Sequence, residues 1–233
     1  MIKTSIWTRI LDFISPRLCV VCGERLSPTE RAVCTVCMMH LPRTNYQFCS
    51  YDNPMARLFW GIIPVEHVAA LYFYEPHSEA ASIVYRLKYS DRPDIGEDMG
   101  RLMASEMAQG HFFDGIDALL PVPLSRKRMR QRGYNQSEML AVGISQITQL
   151  PIITTALRRK HFVKSQTTLD RRERQENVEG IFELKDDRPL RHRHVLLIDD
   201  VCTTGATLIA CAEQLRAVDG IKMSILTLGL TNS

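Results

Sequence analysis

Two adjacent carboxylates, Asp199 and Asp200, close a short apolar run, Val195 to Ile198, and are followed by Thr203, Thr204, Gly205, Ala206 and Thr207. A continuous apolar run of this length reads as a strand buried on both faces. A second apolar stretch, starting at Leu208, opens a helix. In an open α/β sheet, ligands bind in the crevice outside the carboxyl ends of the strands. A small, hydroxyl-rich loop with a glycine, entering a helix N-terminus, turns several backbone N–H groups toward one point and suits a phosphate. The two acids repel a phosphate. They suit neutral hydroxyls, or a magnesium ion held through water. Phosphate at one end and a diol at the other describe a ribose 5-phosphate.

A second group of residues has metal chemistry. Cys19 and Cys22 are separated by two residues, as are Cys34 and Cys37, with eleven residues between the pairs. Each C-x-x-C turns two thiolates toward one point, and two such knuckles supply the four-sulfur tetrahedron that zinc accepts. A closed shell of four thiolates leaves no open position, so the zinc is structural and fixes a loop too small to bury its own core. A redox dithiol pair is the competing use of the same residues. His40 and Cys49 lie just outside the set.

Positive charge is concentrated in two places. Residues 125–132, Ser-Arg-Lys-Arg-Met-Arg-Gln-Arg, form a cationic loop after the apolar run Ala118 to Leu124, which must stop at Pro121 or Pro123. Gly133-Tyr-Asn-Gln-Ser137 then leads into a helix, with Asn135 or Ser137 as its N-cap. Cations at the carboxyl end of a strand belong where an anion sits. A second basic segment, 158–182, carries Arg158, Arg159, Lys160, Lys164, Arg171, Arg172 and Arg174. A structureless stretch this long inside a compact domain is usually a lid or disordered. Both segments could instead track single-stranded nucleic acid, with Tyr134 and Phe162 available for stacking.

The Asp199–Thr207 stretch resembles the phosphoribosyl-pyrophosphate (PRPP) loop of type I phosphoribosyltransferases. Within that superfamily the chain is similar to the ComF/GntX group of competence-associated proteins. The resemblance rests on this loop, on Cys19/Cys22/Cys34/Cys37, on Pro121-Val-Pro with Arg132-Gly-Tyr-Asn-Gln136, and on Gln166, Leu169, Arg174, Asn177 and Phe182. Together these span nearly the whole length. The resemblance implies that Asp199 and Asp200 hold the ribose hydroxyls and magnesium, as the catalytic pair. Thr203, Thr204, Gly205, Ala206 and Thr207 would hold the 5-phosphate, and Arg132, Gly133, Asn135 and Gln136 would face pyrophosphate. Gln166, Arg174 and Asn177 would sit on a flexible loop that closes over the sugar. Leu87-Lys88-Tyr89 is similar to a lysine-containing motif of the group. The implied activity is transfer of phosphoribosyl from PRPP to a nitrogen acceptor that no residue pattern names. The alternative is a non-enzymatic accessory that handles single-stranded DNA during uptake, its zinc module docking a helicase or recombination partner.

The elements that must position these residues follow from periodicity. Strands are expected at 66–74, 117–123, 152–157, 194–201 and 222–229, with helices at 78–89, 94–109, about 136–148 and 205–218. That alternation is the signature of a doubly wound, mainly parallel α/β sheet. Ile2, Ile6, Ile10 and Phe13 set an amphipathic helix over 3–14, and proline-rich residues 41–65 read as a linker or irregular wrap. The expected division is a zinc module with its linker at 1–64 and a phosphoribosyltransferase-like domain at 65–233. A net charge of +3 is too small to argue for nucleic acid by itself. Paired C-x-x-C cysteines fit a reducing compartment. Neither a secretory signal nor an apolar run of spanning length is present, so cytoplasm is the expected location.

Overall fold

Four mostly buried runs, Val68–Tyr74 (β1), Ala118–Pro121 (β2), His194–Cys202 (β5) and Lys222–Thr231 (β6), pair into one sheet. The computed structural model describes residues 16–76, 78–160 and 180–231. The helix expected over 3–14 and the loop residues Gln166, Arg174 and Asn177 lie outside the described residues. The strand order is β1-β6-β5-β2, and every pairing is parallel. Parallel strands need crossover connections that place helices on the faces, which is why these strands are apolar on both sides. The sheet is parallel and helix-covered, as the alternation predicts.

Glu79–Tyr89 (α3), Pro93–Met107 (α4) and Gln136–Thr148 (α6) lie between the first strands, and Ala206–Leu215 (α7) follows β5. Ser78 caps α3 by accepting from the Ala81 N–H, and Asn135 caps α6 by accepting from the Ser137 N–H. Helices α4 and α6 cross with their backbones in contact. A β-carbon on Gly100 would strike the Leu140 carbonyl, and one on Gly143 would strike the Glu97 carbonyl. Only glycine at both positions allows that approach.

Several expectations need correction. Residues 126–132 are not a loop but a short helix, Arg126–Arg132 (α5), with no buried residue. Ser125 caps it, and Gly133 ends it at φ 77°. It escapes a periodicity reading because it has no apolar face. The strand expected at 152–157 reduces to one parallel bridge, Leu119 to Ile152, because Leu157–Arg159 (β3) turns away to pair antiparallel with Phe182–Leu184 (β4). Residues 41–65 pack into the body. Arg43 bridges to Tyr72 on the outer edge of β1, and Met55 and Phe59, from the short helix Pro54–Arg57 (α2) and its following turn, are fully buried. Covering an edge strand in this way removes a row of unpaired backbone groups. The short helix Thr35–His40 (α1) holds Cys37, and Cys34 is its N-cap.

Candidate functional site

Because all four strands run the same way, their carboxyl ends share one rim, and a cavity of about 440 Å³ opens there. Asp199, Asp200 and Val201 from β5, Thr203 from the loop and Thr207 from α7 form one side. Lys88 and Tyr89 of α3, Arg128 and Arg132 of α5, and Arg159 of β3 face it. Four cations thus surround two carboxylates. That imbalance suits a ligand carrying several negative charges on one part and neutral hydroxyls on another.

The two acids are held differently. The Ser137 hydroxyl and the Asp200 N–H both donate to Asp199 Oδ1, at 3.0 and 2.8 Å. Asp200 instead pairs with Lys88, whose Nζ lies 3.0 Å from Oδ2. Burial, and next the charge of Asp200, push the Asp199 carboxyl up to about 7, against those two donors and Lys88. Asp199 therefore sits where a cation or a hydroxyl donor would draw it toward ionisation. The donor set fits magnesium, which keeps several waters and takes one or two carboxylates.

The turn between β5 and α7 is shaped by Gly205, which occupies the left-handed region at φ 76°. A β-carbon there would lie 3.0 Å from Cε1 of the buried Phe59. The first-turn N–H groups of α7 lack intrahelical partners, and Thr207 of that turn lines the cavity. Thr203 and Thr207 line the cavity; Thr204, Gly205 and Ala206 shape the turn without lining it.

The cationic side is more selective than the sequence indicates. Of the run 126–132, Arg128 and Arg132 reach the cavity. Arg132 donates to Gln136 Oε1 at 2.7 Å and lies over the Tyr89 ring, 5.4 Å from its centroid. Gln136 lines the cavity too, whereas Gly133 ends α5 and Asn135 is buried, donating to the Val122 carbonyl at 3.0 Å while capping α6. Asn135 therefore positions its neighbours and does not face a ligand. Arg159 packs over Phe182, and burial and then Arg128 lower its pKa. Ser137, Arg159 and Tyr74 are site residues that sequence reasoning did not assign. Lys88 carried one signal, its place in the Leu87-Lys88-Tyr89 motif.

No protein-family model matches the chain. Over 211 residues, 86% of this chain and 91% of the relative, it is 28% identical to the DNA utilization protein YhgH of Shigella flexneri. It is 25% identical to competence protein F of Haemophilus influenzae over 224 residues, covering 89% of this chain and 93% of the relative. For competence protein ComFC of Bacillus subtilis the figure is 24% over 213 residues, covering 89% and 82%. The chain is a homologue of the competence proteins F and ComFC. Among solved structures it is similar to the glutamine PRPP amidotransferase of Bacillus subtilis complexed with ADP and GMP, with a TM-score of 0.41 and 18% identity. That similarity covers 61% of this chain and 30% of the other.

The four knuckle cysteines converge. Their Sγ atoms all lie within 4.8 Å of one another. A tetrahedral zinc with Zn–S bonds of about 2.3 Å sets its sulfurs about 3.8 Å apart, and Cys22 Sγ lies 3.8 Å from Cys34 Sγ. The Cys34 N–H donates to Cys19 Sγ and the Cys37 N–H to Cys34 Sγ. Burial pushes the Cys19 thiol up, but the N–H groups of Cys22, Cys34 and Val21 together outweigh it and bring the thiol down to about 7. The cluster is compatible with a structural zinc site. Cys49 and His40 are not in it. No helix among the described residues is long and apolar enough to cross a membrane.

Proposed function

We propose that the rim cavity binds PRPP with magnesium, and that the protein transfers phosphoribosyl to a nitrogen acceptor, serving the DNA utilization or competence for which its homologues are named. The observation that carries this reading is the pairing of Asp199 and Asp200 with the Thr203–Thr207 turn in one cavity facing four cations. The turn and the α7 N-terminus receive the 5-phosphate. Asp199 and Asp200 accept from the ribose hydroxyls and are the residues that would hold magnesium. When bound, that ion neutralises charge on the pyrophosphate. Arg128, Arg132 and Lys88 are preplaced where pyrophosphate gains charge as its bond to C1 lengthens, so their stabilisation grows toward the transition state. The four-cysteine cluster would hold zinc and takes no part in the reaction. The cytoplasm, where free thiols and a sugar phosphate coexist, is the compartment this chemistry needs.

Titration calorimetry with PRPP and magnesium tests the reading. The wild-type protein binds, and Asp199→Asn/Asp200→Asn abolishes the heat; a wild-type protein that takes up no PRPP ends the proposal. The name "DNA utilization protein" favours a second reading, in which the same cationic rim holds single-stranded DNA without turnover. That reading expects an affinity that falls steeply with salt.

A further inference from the structure

Tyr134 sits in the joint between α5 and α6, after the left-handed Gly133 and before Asn135, which is fixed to the Val122 carbonyl. Its sequence context offers it as a stacking partner for nucleic-acid bases. The structure employs it differently. Its side chain is half-buried and does not line the rim cavity. Its hydroxyl donates to the Leu87 carbonyl at 2.6 Å.

That carbonyl is one a helix cannot satisfy by itself. The last four C=O groups of a helix have no intrahelical partner, and Leu87 is within the last four residues of α3. The Ser90 N–H closes back onto the Arg86 carbonyl, and Tyr134 takes the next one. The Arg92 N–H also faces the phenol oxygen. Arg92 is the residue before α4, and Asp91 beside it holds a left-handed φ of 50°. One hydroxyl thus spans the whole turn between α3 and α4.

Lys88 directly follows Leu87, and its Nζ lies 3.0 Å from Asp200 Oδ2. Tyr89 comes next, with the Arg132 guanidinium 5.4 Å from its ring centroid. The end of α3 is therefore tied to the α5–α6 region twice, at Leu87 and at Tyr89, with Lys88 between the ties. A lysine side chain carries about 2 kcal/mol of rotamer entropy. Its ammonium keeps one place only if the backbone that carries it does not drift.

We propose that Tyr134 is a positioning residue: its hydroxyl, through the Leu87 carbonyl, holds Lys88 against Asp200 and so sets the cationic face of the rim cavity. The consequence for sugar-phosphate affinity rests on the PRPP reading; the placement of Lys88 does not.

The test compares full-length wild type, Tyr134→Phe, Lys88→Met and the double variant. Tyr134→Phe keeps the ring and removes only the hydroxyl. Lysine acylation followed by mass spectrometry reports on Lys88 with no ligand present. In Tyr134→Phe, local release of that turn raises the Lys88 rate about threefold or more, while the rate at exposed Lys127 of α5 stays the same. General loosening of the fold would not single out Lys88. Calorimetry with PRPP and magnesium is the second readout. Tyr134→Phe weakens PRPP about fivefold, the loss expected of one neutral hydrogen bond. In the Lys88→Met background the same change costs less than about twofold, because the two residues act through one contact. Unchanged labelling of Lys88 in Tyr134→Phe, or an equal loss of PRPP affinity in the two backgrounds, overturns the inference. A wild-type protein that takes up no PRPP ends the PRPP reading alone, and the labelling of Lys88 then decides whether Tyr134 positions it.

Discussion

Lys88 reaches from the last turn of α3 and sets its Nζ 3.0 Å from Oδ2 of Asp200, at the end of a strand 112 positions further along the chain. Both side chains are mostly buried, at 23% and 14% exposure. The lysine thus occupies the position of a counter-cation to the acid pair. Two ligands should feel it oppositely. Lys88→Met removes a competitor for Asp200 and should tighten magnesium binding severalfold in the absence of sugar phosphate. The same change removes one of four cations lining the rim cavity and should weaken PRPP binding about tenfold or more, since a charged hydrogen bond contributes roughly 1.5–3 kcal/mol. Calorimetry with each ligand alone checks both signs. A Lys88→Met protein that binds PRPP more tightly would show that the lysine only blocks the cavity.

Asp199 makes a pH prediction. Its carboxyl keeps a proton up to about 7 in the folded protein, against 3.8 for an ordinary aspartate, through burial first and Asp200 second. Between those values the folded state binds more protons than the unfolded state, so stability falls as pH rises through that window. Asp199→Asn removes the titration yet still accepts from the Ser137 hydroxyl and the Asp200 N–H. At pH 8, without ligand, the variant should be more stable by about 1–3 kcal/mol, given roughly 1.4 kcal/mol per pKa unit. The difference should shrink toward pH 4. Thermal melts at several pH values read it directly, and a variant less stable than wild type at pH 8 would contradict the assignment.

The sheet was legible because burial on both faces writes itself as an apolar run. Val195 to Ile198 and Ala118 to Leu120 could be little else, and of the two N-caps offered for α6, Asn135 and Ser137, the helix uses Asn135. Helix α5 was not legible, because Arg-Lys-Arg-Met-Arg-Gln-Arg has no apolar face. Its only signals are Ser125 before it and Gly133 after it. The acid pair and the threonine turn were readable because one short stretch carries both. Lys88, Ser137, Arg159 and Tyr74 were harder, since each reaches the cavity from a different element. Periodicity tells which face of α3 is buried. It does not tell that Lys88, one turn on from the buried Val84, ends beside Asp200.

The cysteine cluster can be tested without disturbing packing. Cys22 is exposed, so Cys22→Ser removes a thiolate and almost no buried surface. Purified wild-type protein should carry about one zinc per chain, and Cys22→Ser should lose most of it and melt earlier, since metal binding in such modules is folding free energy. Cys49→Ser, exposed and outside the cluster, should keep its zinc. Equal metal content in the two variants would remove Cys22 from the ligand set.

Gly205 and Phe59 make the final test, because they connect the segment 41–65 to the turn that shapes the rim. Gly205 holds φ at 76°, a conformation that costs a residue with a β-carbon about 1–2 kcal/mol. The added carbon would also sit 3.0 Å from Phe59 Cε1, and Phe59 is fully buried, so its ring cannot swing aside. Gly205→Ala should therefore destabilise the protein by roughly 2 kcal/mol and lift the turn, weakening whatever anion it holds. The two causes separate in a double-mutant cycle. Phe59→Leu leaves a gap under the turn and is costly alone, yet in the Gly205→Ala background that gap accommodates the new carbon. The double variant should be more stable than the sum of the single changes by at least about 0.5 kcal/mol, the threshold at which neighbours count as coupled. Strict additivity would mean that backbone strain alone sets the cost and that Phe59 does not brace the turn.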